Sequence, residues 1–304
     1  MVSEKMAEIA ESMGVKIRLS ESVDSVEMNG KRLTALKTEQ ATYTADAFVV
    51  NADFADWMSK TIPNKSRRRW SDAKLAEKKY SCSTFMLYLG IDGVYEDLPH
   101  HNIHISSDYE RNLDEIERQH VLSEDPSFYV QNASVTDSTL APEGQSAIYV
   151  LVPVTHQHKN VDWSVESDRF RELTLDKLSS IGLGDIRDRI RVEHRITPAD
   201  WESEYAIYRG ATFNLAHNLG QMLHKRPHNR FEELDGVYLV GGGTHPGSGL
   251  PVIYESSRIS SRLLLNDLGM DASFIDEACT CQEEDYSDYE TNTPCAPREV
   301  VRSS

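Results

Sequence analysis

The sequence predicts an α/β fold (an α+β mixture), with part of a parallel-sheet nucleotide-binding domain joined to an antiparallel-sheet domain. Three observations lead there. Residues 236–250 read as a hydrophobic strand running into a glycine-rich turn, and a helix-like segment follows from Pro251 to about Asp267. Residues 1–53 read as helix, strand, hairpin and buried strand in that order. From about residue 61 to 235 the texture changes to strands separated by long polar loops with occasional helices, which favours an antiparallel sheet over further βαβ units.

Met6, Ile9, Ala10 and Met13 recur at helical spacing and Gly14 follows as a cap, so a short helix is expected first. Val15, Ile17 and Leu19 alternate as a strand. Val23, Val26 and Met28 lead into Asn29-Gly30, a two-residue hairpin signal, with Leu33 and Leu36 on the return. Residues 45–53 read as a buried strand ending in polar groups, and residues 84–89 and 147–154 as buried strands of the middle region. Phe170, Leu173, Leu178 and Ile181 mark an amphipathic helix closed by Gly182. The resulting segments are 1–60 and 236–268 for the nucleotide-binding parts, 61–235 for a substrate domain, and 269–304 for an acidic tail.

That tail holds, from Asp271 onward, nine acidic side chains against two arginines, and few large apolar groups. Such a segment buries too little surface to offset its ordering entropy and is expected to be disordered. The formal charge of −17 argues against a nucleic-acid partner, which calls for a basic face. Cys279, Cys281 and Cys295 read as free tail thiols and Cys82 as a small core residue, so no metal site is expected. Neither a secretory leader nor an apolar run of membrane-spanning length is seen. The expected location is cytoplasmic, with peripheral membrane association.

A dinucleotide-binding domain opens with a strand, G-x-G-x-x-G and an acidic residue, and none of the sixteen glycines completes that spacing. Met1 therefore reads as an internal start, and the chain as the carboxy-terminal part of a longer enzyme, completed by a missing amino-terminal portion or a partner chain.

The glycine turn closely resembles the carboxy-terminal flavin motif of the bacterial and fungal type phytoene desaturases, in the amine-oxidase-like flavoprotein superfamily. The resemblance runs from about residue 1 to 268, through residues 81–90 with 98–101, 129–134, 140–142, 149–153, 197–201 and 208–217. It implies a truncated FAD/NAD(P)-binding Rossmann-like flavoprotein fold, FAD as cofactor, an apolar polyene substrate, and hydride transfer from substrate to flavin in carotenoid biosynthesis. Removing two hydrogens from adjacent saturated carbons needs such a cofactor, because no side chain accepts a hydride. The family's first fingerprint is absent, and its usual acid–base candidates belong to the region whose motifs are missing here.

By the same resemblance, Gly241, Gly242, Gly243, Thr244, His245, Pro246, Gly247, Ser248, Gly249 and Leu250 are expected beside the flavin. Val23 and Val26 are expected at its adenosine half. Val50 and Asn51 close a strand where ligands gather in α/β sheets. The N-terminus of the helix starting near Pro251 favours negative charge, and Ser256, Ser257 and Ser260 allow close helix packing. His245 is the catalytic candidate as a proton shuttle, with orientation of the turn as its structural alternative. His100, His101 and His104, and His156 and His158, lack an evident third ligand and read as solvated or substrate-domain residues. The basic run at 65–70 reads as a solvated face, with a membrane-surface patch as the alternative. A carotenoid isomerase or saturase of the same superfamily, and a non-catalytic polyene-binding fragment, stay open.

Overall fold

A computed structural model describes residues 2–277, and hydrophobic periodicity places most of its elements. Helix α1 (Val2–Ser12) forms as its spacing predicts, yet it buries no residue. Residues 15–19 differ from expectation. They form no strand, because no neighbouring strand pairs with them, and Val15, Ile17 and Leu19 stay exposed. Strands β1 (Ser25–Asn29) and β2 (Arg32–Lys37) make the hairpin, and β3 (Thr42–Thr44) pairs with β2. Asn29 lies opposite Arg32, so the loop residues are Gly30-Lys31, one position later than Asn29-Gly30 predicts. Gly30 supplies the positive φ that the first loop position needs.

Strand β4 (Phe48–Val50) is shorter than the predicted run, and it buries Phe48 while Val49 faces solvent. Helices α2 (Phe54–Thr61) and α3 (Asp72–Glu77) follow. Between them the basic run turns inward. Arg67 is buried, donates to the carbonyls of Ile62 and Trp70, and pairs with Asp72. Trp70 is buried edge-on against Phe54, and Arg69 pairs with Glu232. Hence Arg67 and Trp70 act as scaffold, while Lys65 and Arg68 keep a solvated face as expected and the run forms no continuous basic patch.

The middle region is a five-stranded antiparallel sheet. Its strands are β5 (Ser83–Asp92), β6 (His101–His104), β7 (Phe128–Asn132), β8 (Gln145–Val154) and β9 (Ile190–Ile196), in the order β6-β7-β8-β5-β9. Helix α4 (Tyr109–Asp114) lies in the β6–β7 connection. Helices α5 (Trp163–Ser179) and α6 (Ile186–Arg189) join β8 to β9. One sheet face and α5 share a core of Phe85, Leu87, Leu89, Val130, Val150 and Val152 with Trp163, Phe170, Leu175 and Leu178. Helix α7 (Pro198–Ser203) packs against β5 and β9.

Strand β10 (Val237–Leu239) pairs in parallel with β4, and α8 (Leu250–Asp267) returns along it. The second core combines Leu33, Phe48, Phe54, Trp57 and Met58 with Trp70, Leu75, Leu215, Phe231, Val237 and Leu239. It thus draws on all three folded segments predicted from sequence. A short helix, α9 (Phe274–Glu277), ends the described region, with Ala272 buried before it. Residues 278–304 of the predicted acidic tail, with Cys279, Cys281 and Cys295, lie outside the described residues. Cys82 is half-buried, and burial pushes its thiol pKa up. Among the described residues no helix is long and apolar enough to cross a membrane.

Candidate functional site

The glycine turn is bare where β10 ends. Gly241 takes φ +93, and a Cβ there would stand 2.7 Å from Asn51 Oδ1. A Cβ on Gly243 would stand 2.8 Å from Asn214 Oδ1 and 2.9 Å from the Cβ of Phe54. A side chain at Gly243 would press on Phe54, the φ of Gly241 disfavours one there, and both lie in one wall of a cavity of about 300 Å³. Asn51, Ala52 and Asp53 from the end of β4 make a second wall, and Tyr205, Ala206, Ile207 and Asn214 a third. That size matches the lower range of small-molecule sites. Gly249 caps α8, Leu250 is its first residue and Pro251 sits in its first turn, so the helix presents its N-terminus on the turn.

Buried polar groups hold the turn in shape. Arg226, fully buried, donates to the carbonyls of Gly242 (2.6 Å), Thr244 (3.0 Å) and Leu215 (3.3 Å). Asn229 Nδ2 donates to His245 O at 2.9 Å and Ser260 Oγ at 3.1 Å. Thr244 Oγ1 donates to Pro227 O at 2.6 Å, and Gly241 N–H donates to Ser256 Oγ at 3.1 Å. Ser256 and Ser260 are buried, as close packing of α8 requires, whereas Ser257 faces outward. Arg226 and Asn229 were not foreseen, since a polar Arg-Pro-His-Asn stretch shows no periodicity.

Two ionisable groups bear on the turn in opposite ways. Burial pushes the Asp53 carboxyl up to about 6, with repulsion from Asp56 adding to it, against N–H donors from Asp56, Tyr208 and Ala55. Burial alone lowers Arg226 to about 10, so it stays cationic at neutral pH. His217 Nε2 accepts the Ser248 N–H at 3.0 Å, which requires a neutral ring, and burial followed by Arg226 lowers its pKa. Ser248 Oγ donates to Phe213 O at 2.9 Å.

The structure therefore gathers Asn51, Gly241, Gly242 and Gly243 at one cavity. Val50 contributes its carbonyl to Val240 N–H at 3.0 Å. Val26 lies in β1 and Val23 two residues before that strand, and neither is among the residues lining the cavity. His245, which follows Thr244 and precedes Pro246, lines a different cavity of about 610 Å³ with His224, His228 and Glu232. Gly247 packs against the His217 ring instead. His156 and His158 gain a third histidine in His120, which stacks on His158 at 4.4 Å, but no group of described residues could hold a metal ion. His101 bonds Tyr129, and His104 stacks on Phe128.

The sequence pattern of the family described as flavin containing amine oxidoreductase matches residues 1–265. A 4,4'-diapophytoene desaturase (4,4'-diapolycopene-forming) of Methylomonas sp is 46% identical, over 86% of this chain and 52% of its own length. An all-trans-zeta-carotene desaturase of Myxococcus xanthus is 41% identical, over 88% of this chain and 51% of its own. The chain thus spans about half the length of these relatives. Among solved structures, an oxidoreductase from Methanosarcina mazei superposes with a TM-score of 0.55 at 12% identity, covering 84% of this chain and 52% of its own. Cyclohexylamine oxidase from Brevibacterium oxydans gives 0.50 at 14% identity, covering 86% of this chain and 52% of its own. These similarities establish the mixed flavoprotein fold with its antiparallel sheet, and the matching family is a flavin-containing one. The chain belongs to the flavin containing amine oxidoreductase family.

Proposed function

We propose that this chain supplies about half of an FAD-dependent desaturase acting on a phytoene-like or diapophytoene-like carotenoid precursor. The observation that carries the reading is the cavity at the end of β10, lined by Gly241, Gly242 and Gly243 with no side chain of their own between main chain and ligand. The naming of the relatives as carotenoid desaturases supports the substrate class. Bound FAD supplies the two-electron acceptor that side chains lack. The chain's own residues do the rest. The N-terminus of α8 favours negative charge at the turn, Asn51 and Asn214 offer amide groups, and Tyr205, Ile207 and Val240 keep the cavity partly apolar. We assign His245 to the shape of the turn, because its N–H donates to Pro227 O, its carbonyl accepts from Asn229, and the residue lines the other cavity.

The same proposal includes a second polypeptide segment carrying the dinucleotide fingerprint, since no glycine set here has that spacing. It also includes a peripheral place at the cytoplasmic membrane surface, supported by exposed Phe213, Leu219 and Leu223 in the loop before β10. The test is to mix the chain with FAD, alone and with a separately made fingerprint-bearing half, gel-filter it and record the visible spectrum. 4,4'-diapophytoene is then supplied to the flavin-loaded fraction. A co-eluting flavin band and a product absorbing at longer wavelength are expected. No retained flavin in either mixture sinks the reading.

A further inference from the structure

This acidic chain gathers positive charge where two of its segments meet beside the second core. Residues 64–79 carry seven cations against Asp72 and Glu77, in a chain whose net charge is −17. The run at 65–70 makes no continuous basic patch by itself, because Arg67 turns inward to Asp72. Tertiary structure adds to it. Lys74 Nζ donates to Arg68 O at 2.8 Å, and Arg69 and Lys78 lie over the Trp70 ring at 5.2 and 5.1 Å. Arg69 Nη2 donates to Lys225 O at 2.9 Å, and Gln221 bonds both the N–H and the carbonyl of Lys79. Arg68, Lys74, Lys79 and Lys225 are exposed.

These cations are short of carboxylates. Glu232 pairs with Arg69, but among the described residues Arg68, Lys74, Lys78, Lys79 and Lys225 form no ion pair. Burial, and then repulsion from Arg69 and Lys74, lowers the Lys78 pKa against the attraction of Glu77. Like charges held this close raise the energy of the folded chain unless an anion joins them.

The chain itself carries a matching anion. Residues 283–290 read Glu-Glu-Asp-Tyr-Ser-Asp-Tyr-Glu, five carboxylates with two tyrosines and no cation. They lie outside the described residues, and the point where the described chain ends puts them within reach. Asp267, the last residue of α8, pairs with Arg230, and Glu232, two positions after Arg230, pairs with Arg69. Helix α8 therefore ends on the side of the molecule that holds the cations. Glu277 precedes Glu290 by thirteen residues, and an extended chain spans up to about 3.3–3.6 Å per residue, or about 45 Å. A segment tethered within reach of its site meets it at an effective concentration of about millimolar, so weak contacts suffice. Tyrosine rings add cation–π contacts to arginine and lysine that a lipid headgroup lacks.

We propose that residues 283–290 of this chain dock on the cationic surface formed by Arg68, Arg69, Lys74, Lys78, Lys79 and Lys225. The contact is electrostatic and intramolecular, and it rests on neither flavin nor substrate. Lys225 precedes Arg226, so the docked run lies one residue from the side chain that holds the glycine turn.

The test couples lysine amines to carboxylates with a zero-length carbodiimide in the full 304-residue chain, and maps the links in the monomer band by mass spectrometry. At low salt, links from Lys74, Lys78 and Lys225 to residues 283–290 should exceed those from exposed Lys5 and Lys159 by roughly tenfold. Salt at about 1 M, with a Debye length of about 3 Å, should abolish that excess. Arg68→Glu keeps every lysine that is read, so a severalfold drop in these links reports a changed field and not a missing amine. Arg68 is exposed, and far-ultraviolet spectra check the fold. Glu283→Gln with Glu284→Gln changes only the tail, and should likewise lower the links from Asp285, Asp288 and Glu290. Links spread evenly over exposed lysines overturn the docking, as do links indifferent to both variants. Links confined to the dimer band place the tail on a second copy and also overturn it. The same proteins are floated with phosphatidylglycerol vesicles. Flotation that Arg68→Glu abolishes, without tail links at these lysines, assigns the surface to anionic lipid and overturns the docking as well.

Discussion

Arg226 shows how one residue sets the turn. Its guanidinium is fully buried and meets three main-chain oxygens and the Met222 sulfur, with no carboxylate among its partners. Planar guanidinium donors reach carbonyls in several directions, which a lysine ammonium on a single stem does not. Arg226→Lys should therefore leave at least one buried carbonyl unpaired, at about 1–3 kcal/mol for each. Urea unfolding should show that loss, and flavin retention should fall with it. An unchanged midpoint would mean that water takes over the lost bonds. None of this was legible in the sequence, because Arg226 acts across 16 to 18 residues on oxygens that every residue carries. Motif reading pointed instead to His245, a residue of a separate cavity, while His217 accepts a main-chain N–H of the turn.

At the scale of elements, the cap of α2 ties folding to pH at the same cavity. Asp53 accepts the N–H of Asp56 at 2.9 Å, yet burial raises its pKa from 3.8 to about 6. A carboxyl whose folded pKa is raised contributes stability that is complete below its unfolded value and is lost as pH rises through the folded one. Asp53→Asn keeps a capping oxygen but cannot titrate. Relative to that variant, the wild type should lose stability between pH 3.8 and about 6, by about 1.4 kcal/mol for each pH unit of that window, and the difference should level off above it. Unfolding both proteins in urea at several pH values measures this. A pH-independent difference would place Asp53 in its ordinary range. Elements with a complete local pattern were legible, as α8 and its buried Ser256 and Ser260 illustrate, along with β5 and β8. Alternation at residues 15–19 misled because a strand also needs a pairing partner. In the basic run, composition gave no hint that Arg67 would serve Ile62 and Trp70 inside the second core.

On the scale of the whole molecule, the two cores are unequally enclosed. The antiparallel sheet packs one face on α5, and such a sheet tolerates a second face without cover. Parallel strands are normally covered on both faces, yet β4 and β10 form a two-stranded parallel sheet with Val49 exposed. Close by in sequence, α1 and residues 15–19 expose Met6, Ile9, Met13, Val15, Ile17 and Leu19 together. A run of large apolar groups this long, left open on a helix that buries nothing, fits a surface that another polypeptide covers. The proposed fingerprint-bearing half is the occupant whose strands would continue a parallel sheet. Ile9→Lys and Val49→Lys separate this role from folding. Both positions are exposed, so the isolated chain should keep its unfolding midpoint to within about 0.5 kcal/mol. Recovery of flavin-loaded complex from the two halves should fall by roughly tenfold, because each lysine must be desolvated on assembly. Recovery equal to wild type for both variants would mean that this side stays open in the working protein, and that the fingerprint-bearing half docks elsewhere.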